Sequence, residues 1–215
     1  MEILMPRRTL ITYFISILIV LFFVLAVFFT LLMPKLAATG QDAPSAQERT
    51  QQATEDLRKV SENLTQAQKQ QKAERASVIA ELTMPDGYHY SEGESFDSLT
   101  AQAHTLESRL PERSAGTTDS PTPELVKYEE GYFAANAASD WQCAWLMEAV
   151  KHSQEKDFKK VNRDIAKLES FKKSSYIKHF PDFKVFLQDT VYPLTKGETD
   201  VAQSFINTSC SISQP

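Results

Sequence analysis

Hydrophobic and polar positions divide this chain sharply. Leu10 to Met33 is a run of 24 residues without a charge, and the fifty or so that follow are nearly all polar. At ~1.5 Å rise per residue the run spans roughly 36 Å, against a bilayer core of about 30 Å, and tilt absorbs the excess. Lipid offers no partner for backbone amides, so the spacing predicts a transmembrane helix over 10–33. Between Pro44 and Pro85 there is neither proline nor glycine, and Gln, Glu, Lys, Arg and Ala dominate. These are good helix formers, and one long helix is predicted over 45–83. Leu57, Val60, Leu64 and Ala67 repeat at a 3-4-3 spacing of coiled-coil type. Continued, that register meets Gln71 and Glu74, which are not apolar, before Val78 and Leu82 restore it. The seam suits weak pairing with a partner, folding back onto the following helices, or a solvated single helix.

Met84-Pro85-Asp86-Gly87 is turn chemistry and ends that helix, with Tyr88, His89 and Tyr90 packing behind it. Leu99, Ala103, Leu106 and Leu110 predict a short amphipathic helix that closes a hairpin with the first. Residues 111–123 hold no hydrophobic side chain larger than Ala and read as a linker. Beyond it, apolar stripes recur with helical period. They run through Leu125, Tyr128 and Tyr132, then Trp141, Trp145 and Ala149. Val161, Ile165 and Leu168 form a third, Phe183, Leu187 and Val191 a fourth, and Val201 and Phe205 a last. No stretch alternates with period two for long. The expected fold is all-α: an N-terminal transmembrane helix, a long polar helical stalk or hairpin, and a small C-terminal helical bundle. The corresponding boundaries are a cytoplasmic tail (1–9), the span (10–33), the extracytoplasmic stalk (34–110), the linker (111–123) and the helical domain (124–215).

Charge sets the orientation. Arg7 and Arg8 precede the apolar run and only Lys35 follows it, which places the N-terminus in the cytoplasm and the C-terminal domain outside. A cleaved signal peptide is the rival reading. The run is longer than a signal core, and Leu36 disfavours cleavage after Ala38. Either reading delivers residues 41–215 across the membrane. Without residues 1–40 the chain keeps 20 basic and 27 acidic residues, net −7. That acidity, with no long Lys/Arg run, argues against nucleic acid and against a second contact with anionic lipid. Cys143 and Cys210 are the only cysteines, and an extracytoplasmic compartment permits them to pair.

Candidate chemistry is sparse. The six glycines are scattered, so no phosphate-cradling loop is present. The four histidines form no metal-ligand spacing beyond His152 with Glu155, and no third ligand is evident. No catalytic residue, cofactor or metal site is predicted. Asn63 and Asn207 fit the glycosylation pattern. Trp141 and Trp145 around Cys143 suit core packing at a disulfide, or an exposed aromatic grip on a partner. The partners expected are the lipid bilayer and another envelope protein or a second copy of the chain. Partner-binding candidates are Leu57, Val60, Leu64, Trp141 and Trp145. The layout resembles bacterial envelope proteins of the division, secretion-accessory and phage-spanin kind, a likeness of architecture carried by no motif. The expectation is a single-pass, membrane-anchored interaction protein without catalytic activity. The alternative is an extracytoplasmic ligand-binding or sensor module.

Overall fold

A computed structural model describes residues 44–117 and 122–212, and every regular element among them is helical. The stretch expected to span a membrane, residues 10–33, lies outside the described residues. Among the described residues no helix is long and apolar enough to cross a membrane. In chain order the helices are α1 (Ala46–Glu81), α2 (Asp97–Ser108), α3 (Leu110–Ala115), α4 (Tyr132–Gln154) and α5 (Phe158–Ser170). The 3-10 turns Phe171–Lys173 and Ile177–His179 lead to α6 (Phe183–Phe186). A π turn (Leu187–Val191) and a 3-10 turn (Tyr192–Lys196) then lead to α7 (Asp200–Ser209). Residues 46–215 form one compact unit.

Helix α1 is a scaffold along which the later helices α2, α3 and α4 are laid. Its outer face carries ion pairs one turn apart, such as Arg58 with Glu55 and with Glu62, at 2.7 and 2.6 Å. Its inner face buries Ala53, Val60, Ala67 and Val78. The predicted seam is therefore covered by the chain's own later elements: α2 and α3 pack on α1, and so does α4. Between apolar contacts, amide side chains grip irregular backbone at three points. Asn63 donates to the Val126 carbonyl (2.8 Å) and accepts from its N–H (3.0 Å). Gln71 holds Glu94 in the same way, and Gln102 of α2 holds Glu124. Each side-chain amide satisfies the N–H and the C=O of one residue, as a neighbouring strand would. The Asn63 amide is thereby committed inside the fold, whereas Asn207 is exposed.

The segment expected to be a linker begins as α3. Pro111 sits in its first turn, where a missing N–H is harmless. Arg113 returns to α1 and meets Asp56 at 2.6 Å, with both residues buried. Residues 122–130 follow as an extended strap, because Asn63 and Gln70 satisfy its backbone and no helix is needed there. Phe96, Leu99, Phe133 and Ala67 form a small second core beneath it. The helical spacing through Leu125 and Tyr128 is thus overridden by tertiary contacts, and Leu125 is exposed.

Helix α4 is the centre of the main core. Sixteen of its 23 residues are buried, among them Ala137, Ala144 and Leu146 at 0 % exposure, so the helix is enclosed on nearly every side. Its first turn has no cap of its own. Glu74 of α1 supplies one, accepting from the N–H groups of Gly131, Phe133 and Ala134 at 2.9, 2.9 and 3.1 Å. A carboxylate there also complements the helix dipole. Gly131 adopts φ 87°, and a Cβ on it would lie 2.3 Å from the His179 ring, so only glycine fits. Glu74→Ala is expected to destabilise the protein by about 2 kcal/mol, since three charge-assisted bonds are lost together. Glu74→Gln, which keeps one acceptor oxygen, should recover part of this. Urea denaturation with hydrogen exchange at residues 131–135 checks both.

The tryptophans act at the far end of α1. Trp141 and Trp145, one turn apart, both donate their indole N–H to the Thr83 carbonyl, at 2.9 and 3.1 Å. That carbonyl lies just past the helix end, where orphan acceptors need partners. Asp157 caps α5 through the Lys160 N–H (3.2 Å) and turns it back along α4. Val161, Ile165 and Leu168 of α5 then join α4 in the core. Cys143 and Cys210 form a disulfide, with Cα atoms 5.7 Å apart, tying the chain after α7 to α4.

Tyr88 and Tyr90 pack in the turn after α1. Burial, and then the charge on Glu148, pushes the Tyr88 hydroxyl up to about 12. Tyr90 is raised by burial and by Asp140. Both folded values stand above the ordinary 10, so the native state keeps protons that the unfolded state releases. The contribution to stability is intact below pH 10 and is lost as pH rises toward 12. Unfolding free energy measured against pH, with tyrosinate absorbance alongside, should show this decline. Phe variants at both positions should flatten it.

Candidate ligand clefts

One face of the helical unit is built from aromatic rings held by a buried base. Phe171 and Phe183 are buried, and Phe180, Phe186 and Phe205 are half-buried around them. Rings run in contact from Trp141 through Phe171, Phe183 and Phe186 to Phe205, with centroids 5.0 to 5.7 Å apart. Local chain chemistry shapes this wall. Phe180 precedes Pro181 and takes the non-helical conformation such a position requires (φ −125°, ψ 69°), so the turn at Ile177–His179 stops there. Helix α6 lasts four residues and then widens into the π turn at Leu187–Val191. Pro193 has no N–H to return to the preceding turn, which favours irregular winding at this point.

Clefts open on both sides of the Phe180–Phe183 wall. The larger, about 580 Å³, has walls of Ile177, Phe180, Phe183, Leu187 and Tyr192, and Lys172, Lys178 and Lys184 also line it. The second, about 320 Å³, lies between Phe180, Phe186 and Phe205 and the disulfide-bonded Cys143. A third, about 400 Å³, is polar and lined by Arg75, Glu94, Asn136 and Asp140. It shares Ser139, Cys143 and Ser209 with the second, so the depressions adjoin one another. All three volumes fall in the range of small-molecule sites.

Two features of this face exceed what packing needs. Gln142, on the wall of the second cleft, is 6 % exposed and its buried Nε2 has no hydrogen-bond partner. A half-turn of the amide exchanges its two ends, so the cleft wall can offer either a donor or an acceptor. The second feature is charge. Residues 171–184 hold Lys172, Lys173, Lys178 and Lys184 against a single acid, Asp182, inside an otherwise acidic unit. Glu169 at the rim is already held by the Tyr192 hydroxyl (2.6 Å) and by Lys172 (3.4 Å). Those bonds, the Tyr192 one first, hold its carboxyl below the usual carboxylate range.

The residues singled out from sequence lie elsewhere. Val60 is 0 % exposed, Leu57 and Leu64 are half-buried, and Leu64 packs against the second core. Trp141 and Trp145 are buried and bound to Thr83, so neither offers an aromatic grip at the surface. Cys143 and Cys210 do meet, and their bridge borders two of the clefts. His152 does not pair with Glu155. It shares a buried bond of 2.7 Å with Asp164, which Arg163 also holds at 2.8 Å, and Glu148 approaches its other nitrogen at 3.7 Å. This group joins α4 to α5 and lines none of the three clefts. Among the described residues no group of three or more His, Cys, Asp or Glu side chains could hold a metal ion. The lysine rim forms no contiguous Lys/Arg run in the sequence, because Lys172, Lys178 and Lys184 are six residues apart. No protein-family model, curated protein or solved structure matches the chain.

Proposed function

We propose that the chain is a membrane-tethered, extracytoplasmic binding module that takes a small apolar or amphiphilic ligand on its aromatic face. The uncharged run at 10–33, with Arg7 and Arg8 before it, supports the tether and its orientation. The cystine between Cys143 and Cys210 suits an oxidising compartment. The observation that carries the binding role is the pair of clefts flanking the Phe180–Phe183 wall, small-molecule in size and backed by a stapled core. A stalk that recruits a partner through Leu57, Val60 and Leu64 has less support, because Val60 is buried and Leu57 and Leu64 are half-buried.

The test is hydrogen exchange on the full-length protein in phosphatidylcholine nanodiscs, with and without a panel of small aromatic and aliphatic fragments. Protection confined to residues 177–192 and 203–209 is the expected result. Unchanged exchange there with every fragment, up to millimolar concentration, would overturn the reading.

A further inference from the structure

We propose that the 580 Å³ cleft binds a single-chain anionic amphiphile, with its alkyl tail on the apolar wall and its head among Lys172, Lys178 and Lys184. This rests on the binding-module reading and names the ligand class of that site. Half-buried Ile177 and Phe180, backed by buried Phe183 and Leu187, give the tail an apolar surface. Lysine stems extend that surface while their ammonium groups stay in water, so one side chain serves both ends of an amphiphile. Lys178 and Lys184 form no ion pair among the described residues, and Lys172 meets only Glu169, at 3.4 Å. The cleft therefore presents a positive edge on a unit whose overall charge is negative. An anionic head gains from that edge, and a cationic one does not.

The hydrogen-bonding inventory separates this occupant from an acidic peptide. Besides the lysines, the polar side chains lining the cleft are Gln188 and Tyr192, and the Tyr192 hydroxyl is committed to Glu169. A bound peptide would bring backbone N–H and C=O groups with few partners, each costly to bury unpaired. An alkyl chain brings none. Carboxylate and phosphate heads share the required chemistry, a compact anion on one chain.

The test uses the full-length protein in phosphatidylcholine nanodiscs and three photoreactive diazirine probes of one chain length: a dodecanoate, a dodecyl phosphate and a dodecanol. Adducts are mapped by peptide mass spectrometry, which separates cleft labelling from labelling elsewhere in the chain. The expected result is dodecanoate or dodecyl phosphate adducts on residues 177–192, displaced by the unlabelled compound. The two anionic arms show which head is preferred. Labelling should fall about tenfold in Lys178→Glu/Lys184→Glu, the combined effect of two exposed charge contacts of ordinary strength. Lys178→Met/Lys184→Met keeps the stems and should fall less. Both pairs are exposed, so circular dichroism should match the parent. Equal labelling by dodecanol, or no change in the Glu variant, would overturn the anionic class and leave the cleft reading standing. Absence of cleft labelling by all three probes would overturn both. Displacement by an acidic peptide and not by dodecanoate would reassign the site.

Discussion

Replacing Asp56 with Ala is expected to lower stability by about 3–5 kcal/mol, the largest effect of any single side chain outside the disulfide. Asp56 is 4 % exposed and Arg113 6 %, and their bond of 2.6 Å joins the first third of α1 to α3. Gln52 adds a second bond to the same carboxylate at 2.7 Å. Removing the acid takes from a buried guanidinium the carboxylate it meets at 2.6 Å, and the loss is dominated by the cost of keeping that charge out of water. A volume-matched apolar pair, Asp56→Leu with Arg113→Met, leaves no buried charge, exposed Gln52 can bond water instead, and the variant should lie within about 2 kcal/mol of the parent. Urea denaturation of the two variants separates these outcomes. An Asp56→Ala loss below about 1 kcal/mol would show that the pair is effectively solvated.

The Cys143→Ser/Cys210→Ser variant should lose a comparable amount. The bridge closes a separation of 67 residues, for which the chain-entropy account gives about 4 kcal/mol. That is a large share of the 5–15 kcal/mol typical of a domain. The bridge also fixes the chain end that follows α7, whose Phe205 completes the aromatic face. The midpoint in urea should therefore fall on reduction, and exchange at residues 203–209 should accelerate first. Equal midpoints for oxidised and reduced protein would show that apolar packing by Ala202 and Ile206 suffices.

The helices Ala46–Glu81, Asp97–Ser108 and Phe158–Ser170 and the cysteine pairing were legible in the sequence because they depend on local pattern or on simple elimination. The packing of α1 was not, and Gln71 and Glu74 show why. They read as faults in an apolar seam, yet they are the side chains that hold Glu94 and cap α4. A periodicity search scores polar positions as solvent and has no means of marking a carboxylate aimed at another helix. The same blindness made residues 111–115 look like part of a linker, though they close α3. Arg113 supplies there what hydrophobic side chains supply elsewhere, and the amide grips on Glu124 and Val126 do the same for the segment that follows. The two tryptophans gave the opposite difficulty. Their bulk suggested either core or surface, and only the Thr83 carbonyl shows that the one-turn spacing serves a shared acceptor. The aromatic face was half visible: Phe183 and Leu187 stood out as a stripe, while the lysines spaced along the same segment did not.

That shared acceptor has an optical consequence. Trp141 and Trp145 are the only indoles in the chain, and both converge on the joint where α1 ends against α4. Emission from this protein is thus a gauge of one hinge rather than an average over the molecule. A shift toward red wavelengths that precedes the loss of helical ellipticity would record α1 lifting away while the rest of the bundle still stands.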